Sequence, residues 1–62
     1  MTKLKKIRLG RHITQAELSE RSGVNIRMIQ HYEQGSKDIK KGNVMTVLSL
    51  AEALGCDIRE II

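Results

Sequence analysis

The segment QAELSERSGVNIRMIQHYEQG, residues 15–35, decides the predicted fold of this chain. The sequence TQAE around its start is a capping box, in which the Thr14 hydroxyl accepts from the Glu17 amide and the Glu17 carboxylate reaches back. Gly23 ends this helix because glycine adopts the left-handed conformation readily. Asn25 is a favourable N-cap for a second helix. So short a connection predicts that the two helices turn sharply against each other.

The second helix of this segment, Ile26 to Gln34, has two chemically different faces. Ile29 and Tyr32 lie three residues apart, and this spacing predicts an inner face. At about 100° per residue, Arg27 and His31 lie nearly opposite Ile29. Gln30 and Gln34 flank them. The predicted outer face is therefore long, flexible and rich in hydrogen-bond donors.

The charge of the chain favours an anionic partner. Eleven Lys and Arg residues against seven Asp and Glu residues give a net charge of +4 and a sequence pI near 9.7. The cations form two clusters: Lys3, Lys5, Lys6, Arg8 and Arg11, and then Lys37, Lys40 and Lys41. Such runs also occur on ordinary solvated helix faces, so they indicate a binding surface only if both lie beside the same groove.

Composition argues against several other classes of protein. The single cysteine, Cys56, cannot form an intramolecular disulfide, and no apolar stretch approaches the length of a membrane span. No signal-peptide pattern follows Met1, so we expect a cytoplasmic protein without a membrane partner. His12 and His31 lie in different elements, and no Gly-rich phosphate loop or metal-ligand spacing is present. We therefore predict no enzyme activity, no cofactor and no metal.

The flanking segments predict three further helices. Leu4 and Ile7 indicate a helix over residues 2–9, which Gly10 is expected to end. A fourth helix, from Lys41 or Asn43 to Leu54, has an apolar stripe of Val44, Val47, Leu48, Ala51 and Leu54. Asp57 opens a short fifth helix that ends at Ile61 and Ile62. Residues 1–62 are thus predicted to form one all-α domain, a compact five-helix bundle with an aliphatic core.

The chain resembles the phage-repressor helix-turn-helix family (Cro/repressor-type, also called XRE-type) over residues 3–62. The resemblance lies in TQAELSERSGVNIRMIQHYEQG, the upstream LKKIRLGR and the downstream LAEALGCDIREI. Its signature is Gln opening helix 2, a small residue, a glycine, an apolar residue in helix 3 and a Glu-x-Gly ending. These are Gln15, Ser19, Gly23, Ile29, Glu33 and Gly35.

The resemblance implies a lambda-repressor-like domain in which helices 2 and 3 form the helix-turn-helix. Such a domain binds double-stranded operator DNA, commonly as a homodimer, with helix 3 in the major groove. The family's base-facing positions match Ile26, Arg27 and His31, with Gln30 as a possible fourth. Its phosphate-contacting positions match Gln15, with Thr14 before it, and Gln34 and Ser36; Lys37 and Lys40 are candidates from their charge. A repressor is the commoner outcome in the family.

Two further expectations concern structure. Family members often pair an Arg in helix 1 with the Glu near the end of helix 3, and here those residues are Arg8 and Glu33. The alternative is two independent surface charges. For a dimer interface, the expected apolar surface comes from Leu50, Ile58, Ile61 and Ile62. The alternative is that these residues complete the core beneath helix 1.

Three questions stay open at the level of sequence. Ile26 either meets a thymine methyl group, which suits a branched apolar side chain, or packs inward. His31 either reads a base, with a charge that can change near neutral pH, or is an exposed spectator. Finally, the same fold can serve as a protein-interaction module, such as an antitoxin-type domain that binds a partner protein.

Overall fold

The structure is a computed structural model that describes residues 1–62, and it contains only helices and tight turns. Its four α-helices and two 3-10 turns follow one another as α1 Lys3–Gly10, α2 Gln15–Ser22, α3 Ile26–Gln34, a 3-10 turn Ile39–Lys41, α4 Val44–Leu54 and a 3-10 turn Ile58–Glu60. The all-α class is therefore confirmed. No helix has the length and the apolar composition that crossing a membrane requires.

The prediction of a fifth helix was wrong, because the segment after Gly55 forms a single 3-10 turn. Its predicted capping interaction is present: the Glu60 carboxylate accepts from the Asp57 amide at 2.8 Å. The turn is short because Ile58 and Ile61 both pack toward the core. Side chains three residues apart lie on the same side of a 3-10 turn, so one turn is enough to direct both inward.

Local capping forms the helix-turn-helix as the sequence predicts. The Thr14 hydroxyl accepts from the Glu17 amide at 3.0 Å, and the Thr14 amide donates to the Glu17 carboxylate at 2.9 Å. The hydrogen bond from the Thr14 amide to the carboxylate is the main cause of a lowered pKa at Glu17. Gly23 has a φ of 73°, and the Asn25 side chain accepts from the Arg27 amide at 2.8 Å. Helices α2 and α3 therefore begin and end at residues that can be identified locally.

The end of α1 differs from the prediction. Gly10 is the last residue of the helix, and the left-handed residue that follows is His12, with a φ of 58°. The side chain of Arg8 donates to the carbonyl of Ile13 at 2.9 Å, and Ile13 is buried. The hydrogen bond from Arg8 holds Ile13 beneath α1. The left-handed residue that turns the chain is therefore His12 and not Gly10.

The core is aliphatic, and α2 packs against both α3 and α4 at its centre. Leu18 and Ile29 are completely buried, and the other large core side chains come from every α-helix and from the last turn: Leu4, Tyr32, Val47, Leu50, Leu54 and Ile61. The predicted stripe of α4 was partly wrong. Its buried face is Val47, Leu50, Ala51 and Leu54, whereas Val44 is 67% exposed and Leu48 is 38% exposed. The buried positions still follow the i, i+3, i+4, i+7 spacing, but the buried face of the helix is shifted toward Leu50 and away from Val44 and Leu48.

The structure corrects half of the expected dimer surface. Leu50 is 0% exposed and Ile61 is 2% exposed, so both belong to the core and neither can contact a partner in this conformation. A domain this small has few apolar side chains for its core, so its stability requires that Leu50 and Ile61 are buried within it. Ile58 and Ile62 are half-buried and keep part of their surface.

Candidate nucleic-acid interface

Helix α3 is held with one face in the core and the other in solvent. Ile29, Tyr32 and Glu33 are buried. The opposite face exposes Arg27, His31 and Gln34, while Ile26 and Gln30 are half-buried. Four of the base-reading candidates thus lie on one helix, Ile26 and Arg27 in its first turn and Gln30 and His31 further along.

A buried ion pair fixes the C-terminal half of α3. The Arg8 Nε atom is 2.7 Å from Glu33 Oε2, and Arg8 Nη2 donates to Glu33 Oε1 at 2.9 Å. The pairing raises the pKa of Arg8, chiefly through the hydrogen bond to Glu33 and against the effect of burial. Two parallel charge-assisted hydrogen bonds restrict orientation as well as distance. Helix α3 therefore cannot rotate about its axis without breaking the pair.

The same carboxylate also positions Gln15. The Gln15 side-chain amide donates to Glu33 Oε1 at 3.0 Å, across a separation of 18 residues. One of its two N–H groups is used in this bond, and the second N–H remains available. The first residue of α2 is thereby held beside Glu33, and Gln34, another phosphate-contact candidate, follows Glu33 directly in the chain. Glu33 therefore joins the start of α2, at Gln15, to the end of α3, where Gln34 follows it.

The crossing of α2 and α3 depends on a contact that sequence reasoning missed. Ser19 was expected at this crossing only because it is small. Its hydroxyl also donates to the Val24 carbonyl at 2.6 Å, and Val24 is buried. Serine side chains often bond to backbone groups a few residues away, so a Ser just before a tight turn could have indicated the bond from Ser19 to Val24. The hydroxyl therefore joins α2 to the turn that sets the direction of α3.

The sequence left open whether Ile26 packs inward or faces a ligand, and in the structure its side chain is divided between the two. Its side chain is half-buried and lines an open surface groove of about 710 Å³. The groove is also lined by Leu9, Ile13 and Ala16, and by Thr14 and Gln15 at the start of α2. Part of Ile26 thus packs inward, and part faces the groove beside the candidate phosphate anchors.

The candidate DNA contacts at the end of α3 and in the segment after it are exposed. His31 Nδ1 is 3.2 Å from Ser36 Oγ, and the Ser36 hydroxyl is 3.3 Å from the His31 carbonyl, to which it donates. Gln34, Lys37 and Lys40 are exposed. The Lys40 amide donates to Asp38 at 3.0 Å, which opens the 3-10 turn. The contact between His31 and Ser36 joins a base-reading candidate to a phosphate-contact candidate.

The N-terminal cationic cluster is smaller than its sequence indicates. Arg8 is buried against Glu33, and Arg11 donates from Nε to the Leu54 carbonyl at 2.9 Å, at the end of α4. Both arginines therefore have structural contacts; the pairing of Arg8 with Glu33 was expected from the family resemblance, whereas the contact of Arg11 with Leu54 was not. Lys3, Lys5 and Lys6 are the members of this cluster whose amino groups have no ion-pair partner.

The structure contains no cluster of three or more His, Cys, Asp or Glu side chains arranged to hold a metal ion. Cys56 is a half-buried free thiol, and burial raises its pKa. A raised pKa keeps the thiol protonated and weakly nucleophilic at neutral pH.

Comparison with known families and proteins agrees with the geometry. A family model described as helix-turn-helix matches residues 4–61, from α1 to the buried Ile61. No curated protein and no solved structure matches the chain.

Proposed function

This chain belongs to the Cro/repressor-type (XRE-type) helix-turn-helix family of DNA-binding regulators, and we propose that α3 is the helix it places in the major groove. The observation that carries this proposal is the division of α3 into two faces. Ile29, Tyr32 and the ion-paired Glu33 attach one face to the domain. The opposite face offers hydrogen-bond donors to base edges in a groove wide enough to admit a helix, as the major groove of DNA is.

Base discrimination is proposed for the exposed face of α3. Arg27 is exposed and lies in the first turn, where a guanidinium can donate two hydrogen bonds to O6 and N7 of a guanine. Gln30 can pair in the same manner with adenine, and the free part of Ile26 suits a thymine methyl group. His31 is the remaining candidate, with its side chain already in contact with Ser36.

The residues around this face are proposed to contact DNA phosphates, and these contacts supply affinity without sequence preference. The unpaired amides in the first turn of α2, next to Thr14 and Gln15, favour a phosphate group because of their direction and dipole. Further donors come from Gln34 at the end of α3 and from Ser36, Lys37 and Lys40 after it. Such contacts release counterions from DNA, so the affinity should fall steeply with salt.

We further propose a homodimer on a symmetric operator and repression as the outcome. One domain of this type covers about half a site, and half-sites lie about 10 base pairs apart or a multiple of that. Ile58 and Ile62 are the residues from the expected interface that keep an exposed surface. Repression follows if the bound dimer blocks access to a promoter.

The experiment that tests these proposals is selection of preferred duplexes from a random library. We expect an enriched sequence, with two related half-sites if the protein binds as a dimer. Affinity for the selected duplex and for a scrambled duplex is then measured across a salt series. Sedimentation of free and DNA-bound protein gives the stoichiometry. No enrichment together with no salt-dependent binding would overturn the DNA-binding proposal, and one monomer on each selected site would overturn the dimer.

A second candidate function is docking of a protein partner, for example a toxin-type protein recognised by an antitoxin-type domain. It is favoured by three exposed apolar side chains in the first half of α4: Val44, Met45 and Leu48. Exposed apolar clusters of this kind are typical of contact surfaces. The substitution Val44→Ser with Leu48→Ser separates the two functions. Unchanged DNA affinity together with lost partner binding would assign the cluster to a protein partner.

A further inference from the structure

A second surface concavity lies away from the groove beside Ile26. It has a volume of about 500 Å³ and is formed between the first turn of α1, the connection after α3 and the last residues of the described chain. Leu4, Tyr32 and Ile61 form its base, where they are almost completely buried, and its exposed apolar surface comes from Met1, Ile39 and Ile62. A volume of this size lies within the range of small-molecule binding sites.

The rim of this cavity is cationic. Lys3, Lys37 and Lys40 line it, and all three side chains are exposed. Asp38 is the only acidic side chain of the lining, and its Oδ1 atom already accepts from the Lys40 amide at 3.0 Å. The first turn of α1 contains no acidic residue, so the helix dipole there adds to the positive potential. The charge of the cavity therefore favours an anion.

We propose that this cavity binds a small organic anion with an apolar body, the chemistry of an aromatic carboxylate. The apolar body would cover Met1, Ile39 and Ile62, whose side chains keep exposed surface, and burial of that surface contributes to the binding free energy. The carboxylate would lie at the rim near Lys3, Lys37 and Lys40. A neutral or cationic molecule with the same body lacks the rim interaction, so binding should depend on the sign of the ligand charge.

Occupation of the cavity also affects DNA binding, a consequence that rests on the proposed function. Lys37 and Lys40 belong both to the cavity rim and to the proposed phosphate contacts. A bound anion neutralises part of their charge and competes for their amino groups. Coupling between two sites is reciprocal, so the anion should weaken DNA binding and DNA should weaken anion binding by the same factor.

The test is titration of the protein, without DNA, with 2-naphthoate, followed by amide chemical shifts in NMR spectra. We expect saturable shifts centred on residues 2–4, 32, 35–40 and 61–62. Acetate tests the charge without the apolar body, and 2-naphthylmethylammonium tests the body with the opposite charge. Equal affinity for the cation, or shifts centred on the exposed part of α4, would overturn the proposal.

A matched pair of variants on α1 tests the rim. Lys3→Gln should weaken 2-naphthoate binding about threefold, the size expected for loss of one exposed ion pair. Lys6→Gln removes an exposed lysine of the same helix that does not line the cavity, and it should leave the affinity unchanged. Equal effects of the two variants would contradict the site. Because no DNA is present, failure of the DNA-binding proposal would leave this result unaffected.

The coupling is measured separately, as the affinity for a selected duplex with and without saturating 2-naphthoate. A several-fold loss in the wild-type protein is the expected result, and Lys3→Gln should need about threefold more 2-naphthoate to reach it. Saturable naphthoate binding in the cavity without any effect on DNA affinity would overturn the coupling and leave the binding site in place.

Discussion

The guanidinium of Arg8 and the carboxylate of Glu33 form a buried two-point ion pair, with N···O distances of 2.7 Å and 2.9 Å. The carboxylate accepts a third hydrogen bond from Gln15, and the guanidinium donates a third to the Ile13 carbonyl. This arrangement joins α1, the turn after it, α2 and α3. The orientation of the proposed recognition helix therefore depends on an interaction outside that helix.

Loss of one member of this pair should destabilise the protein strongly. Arg8→Met leaves the Glu33 carboxylate buried without its cation, and Glu33→Met leaves the guanidinium without its anion. Each change should lower the free energy of unfolding by about 3–5 kcal/mol, because an isolated buried charge is costly. Urea denaturation followed by circular dichroism measures the effect.

The double variant Arg8→Met with Glu33→Met supplies the control. We expect it to lose clearly less stability than the sum of the single variants, since neither charge is then left alone. Additive losses would show that the two residues are not coupled. If a single variant is unfolded, the double variant should still recover a cooperative transition.

Gly42 is required by a neighbouring side chain and not by its backbone conformation. Its φ is −74°, which any residue adopts, but a Cβ atom would meet the Tyr32 hydroxyl and lie 3.2 Å from Tyr32 Cζ. Gly42→Ala should therefore cost about 1–3 kcal/mol, the usual range for an overpacked site. Thermal unfolding measures the change.

Gly10→Ala is the matched control for this prediction. A Cβ atom at Gly10 meets nothing within 4 Å, and the residue is the last one of α1. Its replacement should be neutral or stabilise the protein by up to about 1 kcal/mol, because alanine loses less backbone entropy in a helix. Equal losses at Gly42 and Gly10 would contradict the contact with Tyr32.

Arg27→Ala should remove sequence preference more than overall affinity. A bidentate contact with guanine discriminates by about 1–3 kcal/mol, so affinity for the selected duplex should fall about 5-fold to 150-fold. Affinity for a scrambled duplex should change much less. Fluorescence anisotropy with both duplexes makes the comparison.

Lys40→Gln is the corresponding variant for a phosphate contact. It should weaken binding to both duplexes to a similar extent and reduce the slope of log K against log salt by about one. If Arg27→Ala instead weakens binding to both duplexes equally, Arg27 does not read a base.

Glu17 should make the stability of α2 depend on pH. The hydrogen bond from the Thr14 amide is the main cause that holds the pKa of Glu17 below its ordinary value of 4.5 in the folded state. A carboxyl group with a lowered pKa stabilises the fold above its unfolded pKa, and this contribution is lost as the pH falls through the folded pKa. Glu17→Gln should therefore lower the Tm at pH 7.

The difference in Tm between the wild-type protein and Glu17→Gln should shrink as the pH falls below 4.5, where the carboxyl becomes protonated. Glutamine can still accept the hydrogen bond, so the comparison isolates the charge. Glu20→Gln, an exposed position on the same helix, is the control. A Tm difference that is constant with pH would contradict the role of the ionised cap.

Local interactions made much of this fold predictable. The capping box at Thr14, the left-handed Gly23 and the N-cap Asn25 each act within a few residues, so the boundaries of α2 and α3 followed from sequence. Predictions failed where a side-chain contact outside helical spacing decided the outcome. Gly10 is the last residue of α1, but the chain reverses at His12, next to Ile13, whose carbonyl accepts from the Arg8 side chain. Local preference does not reveal this contact.

The candidate site shows the same division. The exposed face of α3 followed from helical periodicity, with Arg27 and His31 opposite Ile29. The contact of Gln15 with Glu33 and that of Arg11 with Leu54 cross 18 and 43 residues, and no pattern in the sequence specifies them. They arise when packed helices bring long polar side chains beside unpaired acceptors.

The sequence by itself determined the all-α class, the helix-turn-helix and the chemistry of the α3 surface, because caps, turns and periodicity act over a few residues. The tertiary structure decided how the apolar residues of α4 and of the segment after it divide between the core and the surface. Leu50 and Ile61, expected at a partner surface, are enclosed by the domain, while Val44 and Leu48 remain outside. Within α4, the set that includes Leu50 and the pair Val44 and Leu48 both have helical spacing, so only the packing of α4 against the other elements could distinguish between them.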